Sequence, residues 1–289
     1  MCRDCGCEEG NKKIMDQIHG HVHSHDHTHS HSHAAGHSHS HAGENAHSHS
    51  HDHSHDDAHS HSHDHSDNHS HQPSVPKTLQ LEHKVLARND QIADMNRAWF
   101  EQRELRCINI ISSPGSGKTM LLEKSLDALQ SKGVHTSVVV GDQQTDNDAR
   151  RLSGKGAKVM QVNTHSSCHL NAEQVQKVLP DVIHEETELF IVENVGNLVC
   201  PAAFDLGENC KIALLSVTEG EDKPLKYPVL FATAECVVIS KIDLLEHVDF
   251  CIETCVQNLR KINPKVTIIK CSARSGEGMD SWMDWLLPD

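Results

Sequence analysis

A doubly wound, mostly parallel α/β sheet flanked by helices is the fold class this sequence predicts, preceded by a Cys/His-rich N-terminal tail expected to be disordered when metal-free. Three observations predict it. The string Ser112-Ser113-Pro114-Gly115-Ser116-Gly117-Lys118-Thr119 follows a strand-like run and opens a helix-like one, which is the context of a phosphate loop. Seven short apolar runs alternate with stretches of helix length. The first quarter of the chain is too biased in composition to count as globular.

From the N-terminus, residues 1–18 hold Cys2, Cys5 and Cys7 and are expected to form a small metal motif. Residues 19–76 are a histidine tract and its linker. Between His19 and His71 lie 22 of the chain's 28 histidines, interleaved with Ser, Asp and Ala, and no large apolar residue follows Val22 to seed a core. Gln72-Pro73-Ser74-Val75-Pro76 reads as a stiff exit. Residues 77–106 are expected to be an amphipathic helical lead-in, because Leu81, Val85, Leu86, Ile92, Met95, Trp99 and Phe100 recur near helical spacing, with a break near Asn89. Residues 107–289 form the nucleotide-binding domain. Its strands are expected at Cys107–Ser112, Thr136–Val140, Lys158–Val162, Leu189–Val192, Ile212–Val217, Cys236–Ser240 and Val266–Lys270. Helix-length stretches such as Leu121–Gln130, Ala172–His184 and Phe250–Ile262 lie between them, so successive strands must run parallel with crossover helices.

Bulk properties exclude several function classes. About 215 residues remain beyond the tail, enough for one well-buried core. The formal charge of -15 argues against a nucleic-acid partner, which would call for a Lys/Arg surplus. Residues 1–72 carry 11 acidic and 3 basic side chains, about half of that charge. No run approaches the roughly 18 apolar residues of a membrane span, and no secretory leader is evident, so a cytoplasmic protein is expected. The 11 cysteines are odd in number and eight are spread through the α/β region, which fits reduced thiols better than a disulfide framework. Cys107, Cys236 and Cys271 read as small buried residues in or beside strands.

A phosphate loop works because consecutive backbone N–H groups converge on anionic oxygens at a helix N-terminus. Gly115, Ser116 and Gly117 supply that backbone, Lys118 reaches the β- and γ-phosphates, and the Thr119 hydroxyl takes a Mg2+ position. The usual pattern begins with Gly where this chain has Ser112, but Pro-Gly-Ser-Gly-Lys-Thr carries the close contacts. Base choice comes from Ser240-Lys241-Ile242-Asp243: a carboxylate at Asp243 accepts two hydrogen bonds from guanine N1–H and the N2 amino group, and adenine offers no matching pair. Ser240 replaces the usual Asn, and loss of that amide is expected to weaken support of the loop. Ser272-Ala273 follows the last strand, where a backbone donor to guanine O6 belongs. Together these loops favour GTP over ATP.

The hydrolysis machinery is less defined. Asp142 could hold Mg2+ or orient water, with Asp146 and Asp148 in a switch-like loop where Asp146 could equally cap a helix. Glu193 through Gly196 fill the place of an acidic-x-x-Gly switch. No Gln or Arg finger can be assigned, so slow hydrolysis is expected, with turnover dependent on dimerisation or a partner.

Soft donors form two further groups. Cys2-x-x-Cys5-Gly6-Cys7 places three thiols within six residues, and with a nitrogen they would make a four-coordinate Zn2+ or Ni2+ site; the bland alternative is an exposed, oxidisable cluster. The histidine tract could hold ~5–7 divalent ions at three or four imidazoles each, a buffering role. Its interleaving with Ser and Asp is unlike a purification tag. Cys168-His169 and Cys200, four residues beyond Gly196, could bind metal between two subunits.

These strings together resemble the hydrogenase nickel-incorporation GTPases, the HypB family. The resemblance spans nearly the whole sequence: Cys-x-x-Cys-Gly-Cys at 2–7, Ser-Pro-Gly-Ser-Gly-Lys-Thr at 113–119, Gly-Asp-Gln-Gln-Thr at 141–145 and Cys-His at 168–169. Glu-Asn-Val-Gly-Asn-Leu-Val-Cys-Pro at 193–201 and Thr-Glu-Gly-Glu-Asp-Lys-Pro-Leu-Lys-Tyr-Pro at 218–228 extend it and are much more specific than a phosphate loop. The resemblance implies a GTPase that forms a homodimer on binding nucleotide and inserts Ni2+ into the [NiFe]-hydrogenase large subunit with a HypA-type metallochaperone. It also implies a nickel site at Cys2, Cys5 and Cys7, a nickel or zinc site at Cys168, His169 and Cys200 near the dimer interface, and contact of Lys223 or Lys226 with nucleotide or the other subunit. Competing readings are a urease-type nickel-insertion GTPase, which would lack the N-terminal cysteine cluster and carry Cys-Pro-His, and a metal-storage protein with a regulatory GTPase domain.

Overall fold

The computed structural model describes residues 77–143, 146–165 and 167–287; the cysteine cluster at 2–7 and the histidine tract lie outside them. A 25-residue helix α1 (Lys77–Glu101) leads into strand β1 (Arg106–Ser112) and helix α2 (Lys118–Ser131). There follow β2 (Thr136–Asp142), α3 (Asn147–Leu152), β3 (Lys158–Asn163), α4 (Ala172–Val182), β4 (Leu189–Glu193) and α5 (Cys200–Ala203). The last third holds β5 (Cys210–Ser216), α6 (Lys223–Lys226), α7 (Pro228–Thr233), β6 (Cys236–Ser240), a 3-10 turn (Ile242–His247), α8 (Ile252–Ile262), β7 (Thr267–Cys271) and α9 (Met279–Leu286).

All seven expected strands form, with ends displaced by one or two residues, and every pairing is parallel in the order β3-β2-β4-β1-β5-β6-β7. Because side chains alternate along a strand, each central strand serves two cores at once. Ile108 and Ile110 of β1, Leu189 and Ile191 of β4 and Val138 and Val140 of β2 meet Leu122, Leu126 and Leu129 of α2 and Trp282 and Leu286 of α9. On the opposite face Phe190 and Val192 of β4 pack with Phe100 of α1 and Val175 and Leu179 of α4, while Leu215, Val237 and Ile239 pack against Phe231 of α7 and Leu259 of α8. Burying such a side chain contributes about 1.5–3 kcal/mol each, which explains why the central strands read as nearly continuous apolar runs. Cys107, Cys236 and Cys271 sit in this core with Cys210 and Cys255.

The break expected near Asn89 does not occur. An asparagine interrupts a helix when its amide turns back onto nearby backbone, but the Asn89 side chain donates to the Asp205 carbonyl at 2.7 Å and accepts from the Ala172 N–H at 2.9 Å. Both of its polar ends are engaged by tertiary partners, and α1 runs through. Gly207, with φ of +90°, lets the chain pass so close to α1 that a Cβ there would lie 2.5 Å from the Ala93 carbonyl oxygen.

Parallel strands put all their carboxyl ends on one edge, where an α/β sheet binds its ligands. The loops after β1, β2, β4, β6 and β7 gather there.

Candidate functional site

At that edge the loop after β1 turns through Gly115 (φ +73°) and Gly117 (φ +104°) into α2. These left-handed conformations suit glycine and aim successive N–H groups at a shared point. Lys118 donates from Nζ to the Ser112 hydroxyl at 2.8 Å, and the Ser116 hydroxyl donates to the Ser113 carbonyl at 2.9 Å. Ser112 is therefore an anchor for the lysine at a place where the usual glycine has no side chain. Burial lowers the Lys118 pKa, opposed chiefly by the nearby Glu193.

Glu193 ends β4 and is 2% exposed. Its Oε1 accepts from the Thr119 hydroxyl at 2.8 Å, while Oε2 is buried with no hydrogen-bond partner among the described residues. Burial pushes its carboxyl up to about 7, against the pull of Lys118 and Thr119. A hydroxyl and an unsatisfied carboxylate oxygen side by side are the hard donors Mg2+ takes, so the residues fit that ion. Gly196 lies against the phosphate loop so closely that a Cβ would come within 2.9 Å of the Pro114 Cα.

A cavity of about 660 Å³ joins these groups. It is lined by Gly115 to Leu121, Asp142, Asp148, Glu193 to Gly196, Lys241, Asp243 and Ser272 to Arg274, so the candidate phosphate, Mg2+ and base residues share one pocket. Asp146 stands at the N-cap position of α3 without a capping bond, its carboxylate paired with Arg150 at 2.7 Å. Lys223 and Lys226 do not line the cavity: Lys223 lies 3.6 Å from Glu219 and Lys226 lies 2.6 Å from Asp222.

At the base end the Ser272 hydroxyl donates to Asp243 Oδ1 at 2.6 Å, with Ala273 beside it in the lining. The weakened loop support expected of Ser240 is not what the chain shows. The Ser240 hydroxyl donates to the Ser116 carbonyl at 2.7 Å, and Lys241 Nζ donates to the Gly115 carbonyl at 2.6 Å. A shorter side chain does the tying because the end of β6 lies close to the phosphate loop. Sequence reasoning also missed Arg151 and Arg274 in the lining. Arg151 is held by Glu123 at 2.6 Å, a contact from a different helix that no local spacing announces.

The second group of donors converges beside this pocket. The ligand atoms of Cys168, His169 and Cys200 all lie within 4.8 Å of one another. His169 and Cys200 are buried, and the His169 ring packs on Phe204 with centroids 4.0 Å apart. Burial lowers the His169 pKa to about 4, so at neutral pH the imidazole is uncharged and keeps a lone pair for a metal. Donors around one ion lie roughly 3.3–3.8 Å apart, so small side-chain rotations would close the set. Two thiols and an imidazole suit Ni2+ or Zn2+ and leave room for a fourth ligand. Cys2, Cys5 and Cys7 lie outside the described residues. Among the described residues no helix is long and apolar enough to cross a membrane.

Residues 106–270 match the family model described as CobW/HypB/UreG, nucleotide-binding domain. The hydrogenase maturation factor HypB of Escherichia coli (strain K12) is 42% identical over 286 residues, covering 99% of this chain and 98% of that protein. The hydrogenase maturation factor HypB of Azotobacter chroococcum is 49% identical over 215 residues, covering 74% and 70%. Among solved structures, that of HypB from Helicobacter pylori in complex with nickel is similar, with a TM-score of 0.64, 37% identity, and coverage of 69% of this chain and 93% of that one.

Proposed function

The chain belongs to the HypB family of hydrogenase maturation factors and is a P-loop GTPase, and from that premise we propose that it inserts Ni2+ into the large subunit of [NiFe]-hydrogenase. The observation that carries this reading is the convergence of Cys168, His169 and Cys200 within 4.8 Å, beside a nucleotide pocket. Nickel is cargo, held by two thiolates and a neutral imidazole. GTP is the timing device.

In this reading Lys118 and the amides of Gly115, Ser116 and Gly117 bind the phosphates, and Asp243, supported by Ser272, selects guanine, with an Ala273 amide reaching the base oxygen. Thr119 and Glu193 would hold Mg2+, which neutralises phosphate charge when bound. Asp142 orients the attacking water, and Gly196 lets the switch segment rest on the phosphate loop. GTP binding drives formation of a homodimer and reshapes the internal metal site, and hydrolysis releases metal toward the acceptor. A HypA-type metallochaperone is the partner in transfer. Zn2+ competes for the same donors. Cys2, Cys5 and Cys7 form a separate nickel site and the histidine tract stores nickel, in a cytoplasmic protein. The domain limits 1–18, 19–76, 77–106 and 107–289 divide these duties.

Two measurements test the reading. Hydrogenase activity in a strain deleted for this gene should return on expression of the wild-type chain but not of Lys118→Ala, which should lose hydrolysis and keep metal at Cys2, Cys5 and Cys7. Metal affinity of the internal site should differ between GDP and a non-hydrolysable GTP analogue; equal affinities would sink the coupling.

A further inference from the structure

One buried network of side-chain amides and a carboxylate runs from Asn194, in the lining of the nucleotide pocket, to both segments that carry the candidate metal donors. Asn194 directly follows Glu193 and is 1% exposed. Its Oδ1 accepts from the Leu170 N–H at 3.1 Å and the Val195 N–H at 3.0 Å, and its Nδ2 donates to Asn109 Oδ1 at 3.2 Å. Asn109, fully buried in β1, donates from Nδ2 to Glu208 Oε1 at 3.1 Å, and the other Glu208 oxygen accepts from the Leu206 N–H at 2.6 Å. Leu170 is the residue after His169, and Leu206 and Glu208 follow the helix that Cys200 begins. Asn96 of α1 closes the ring by donating to the carbonyls of Ala172 and Leu206, both at 2.9 Å.

The position of this chain in the core is what calls for an account. Asn109 shares its face of β1 with Cys107 and Ile111, where an apolar side chain would pack without the desolvation cost of an amide. An asparagine has one acceptor end and one donor end, and each of these two uses both, so neither can turn without orphaning a buried partner. A displacement of Glu193 to Gly196 therefore either drags the Leu170 N–H or breaks the chain.

We propose that Asn194 and Asn109 are the positioning pair through which the nucleotide state sets the spacing of His169 and Cys200. This rests on the coupling of nucleotide and metal proposed above. It differs from the sequence-adjacent route through residues 196–200, because it runs across β1 and reaches both metal-bearing segments together.

Linkage supplies the test, since metal must change nucleotide affinity by the same factor that nucleotide changes metal affinity. Nucleotide affinity at the phosphate-loop pocket can be read in the full chain, tail included. Affinities for fluorescent GDP and a non-hydrolysable GTP analogue are measured with and without Ni2+, and the part of the nickel effect that disappears in Cys168→Ala belongs to the internal site. In the wild type that part is expected to change the GTP-analogue/GDP ratio by about 5- to 150-fold. In Asn109→Ala it collapses to about twofold or less, while metal-free nucleotide affinity stays within about twofold of wild type. Asn109→Ser, which keeps a small polar group, is measured alongside in case the alanine variant folds poorly, and should show the same collapse. Asn263→Ala is the control: its amide donates to the carbonyls of Phe231, Ala232 and Ala234 far from both sites, so it loses comparable bonds but should retain the nickel effect. A wild-type chain with no nickel effect overturns the coupling itself and this pair with it. A wild-type effect that survives in folded Asn109 variants overturns the pair alone. Loss in Asn263→Ala as well reduces the result to general destabilisation and also overturns the pair.

Discussion

Glu193→Gln should make the metal-free, nucleotide-free protein more stable as the pH rises, at the expense of its chemistry. The carboxyl is 2% exposed and is pushed by burial from 4.5 up to about 7. Between those values the folded state holds a proton that the unfolded chain has released, so folding stability falls as pH rises through the window and the loss is complete above about 7. At about 1.36 kcal/mol per pH unit, that gap amounts to about 3 kcal/mol. Glutamine keeps the shape and a carbonyl oxygen for the Thr119 hydroxyl but does not titrate. The stability difference between variant and wild type should therefore shift by about 3 kcal/mol in the variant's favour from pH 4.5 to pH 8, or about 6–12 °C in Tm for a domain of this size. Thermal unfolding of both proteins across that range is the assay, and histidines elsewhere cancel because both chains carry them. A Tm difference that stays flat with pH would refute the buried, unsatisfied carboxylate as described. The same variant should lose Mg2+-dependent GTP hydrolysis.

Three other substitutions probe separate parts of the pocket and core. Asp243→Asn removes an acceptor for two hydrogen bonds worth about 1.5–3 kcal/mol each when one partner is charged, so GDP affinity by titration calorimetry should fall at least about 100-fold while ADP affinity hardly moves. Gly196→Ala places a methyl 2.9 Å from the Pro114 Cα and must push the switch segment off the phosphate loop; misplacement on the order of 1 Å costs about 100-fold in rate, so steady-state hydrolysis should drop far more than Tm. Trp282→Phe loses the indole bond to the Ser125 hydroxyl at 2.8 Å and leaves a void under α9. Chemical denaturation should show a loss of about 2–3 kcal/mol with nucleotide affinity unchanged.

Much of the fold is legible in the sequence because the sheet is fully parallel and buried on both faces, so each strand announces itself as an apolar run. The phosphate loop is legible because its geometry depends on local backbone conformation, which Gly115 and Gly117 encode directly. What the sequence hides is contact between distant segments. Asn89 reads as a helix breaker until Asp205 and Ala172 are placed against it. Ser240 reads as a weakened base loop until the end of β6 is seen beside Ser116. Asn109 and Asn194 are 85 residues apart and look like an ordinary polar interruption of one strand and an ordinary loop residue after another. The meeting of Cys168 and His169 with Cys200 is a product of topology, since β3 and β4 stand on either side of β2 and their following loops rise from the same edge.

The placement of β1 has a consequence for how the protein is made. Its two neighbours are β4 and β5, so the strand that carries the phosphate loop cannot complete either ladder when it leaves the ribosome. From Ser112 to Ser216 at the end of β5 there are about 104 residues, which at roughly 5–20 residues per second is about 5–20 s of synthesis. Throughout that interval Cys107-Ile108-Asn109-Ile110-Ile111 is an apolar segment with at least one open edge, and pairing at such sequence separation is slow even afterwards. Nascent chains should therefore be most exposed to aggregation and to chaperone capture while residues 113–216 are being added, before the turn after β6 supplies Asp243 to complete the base end of the pocket.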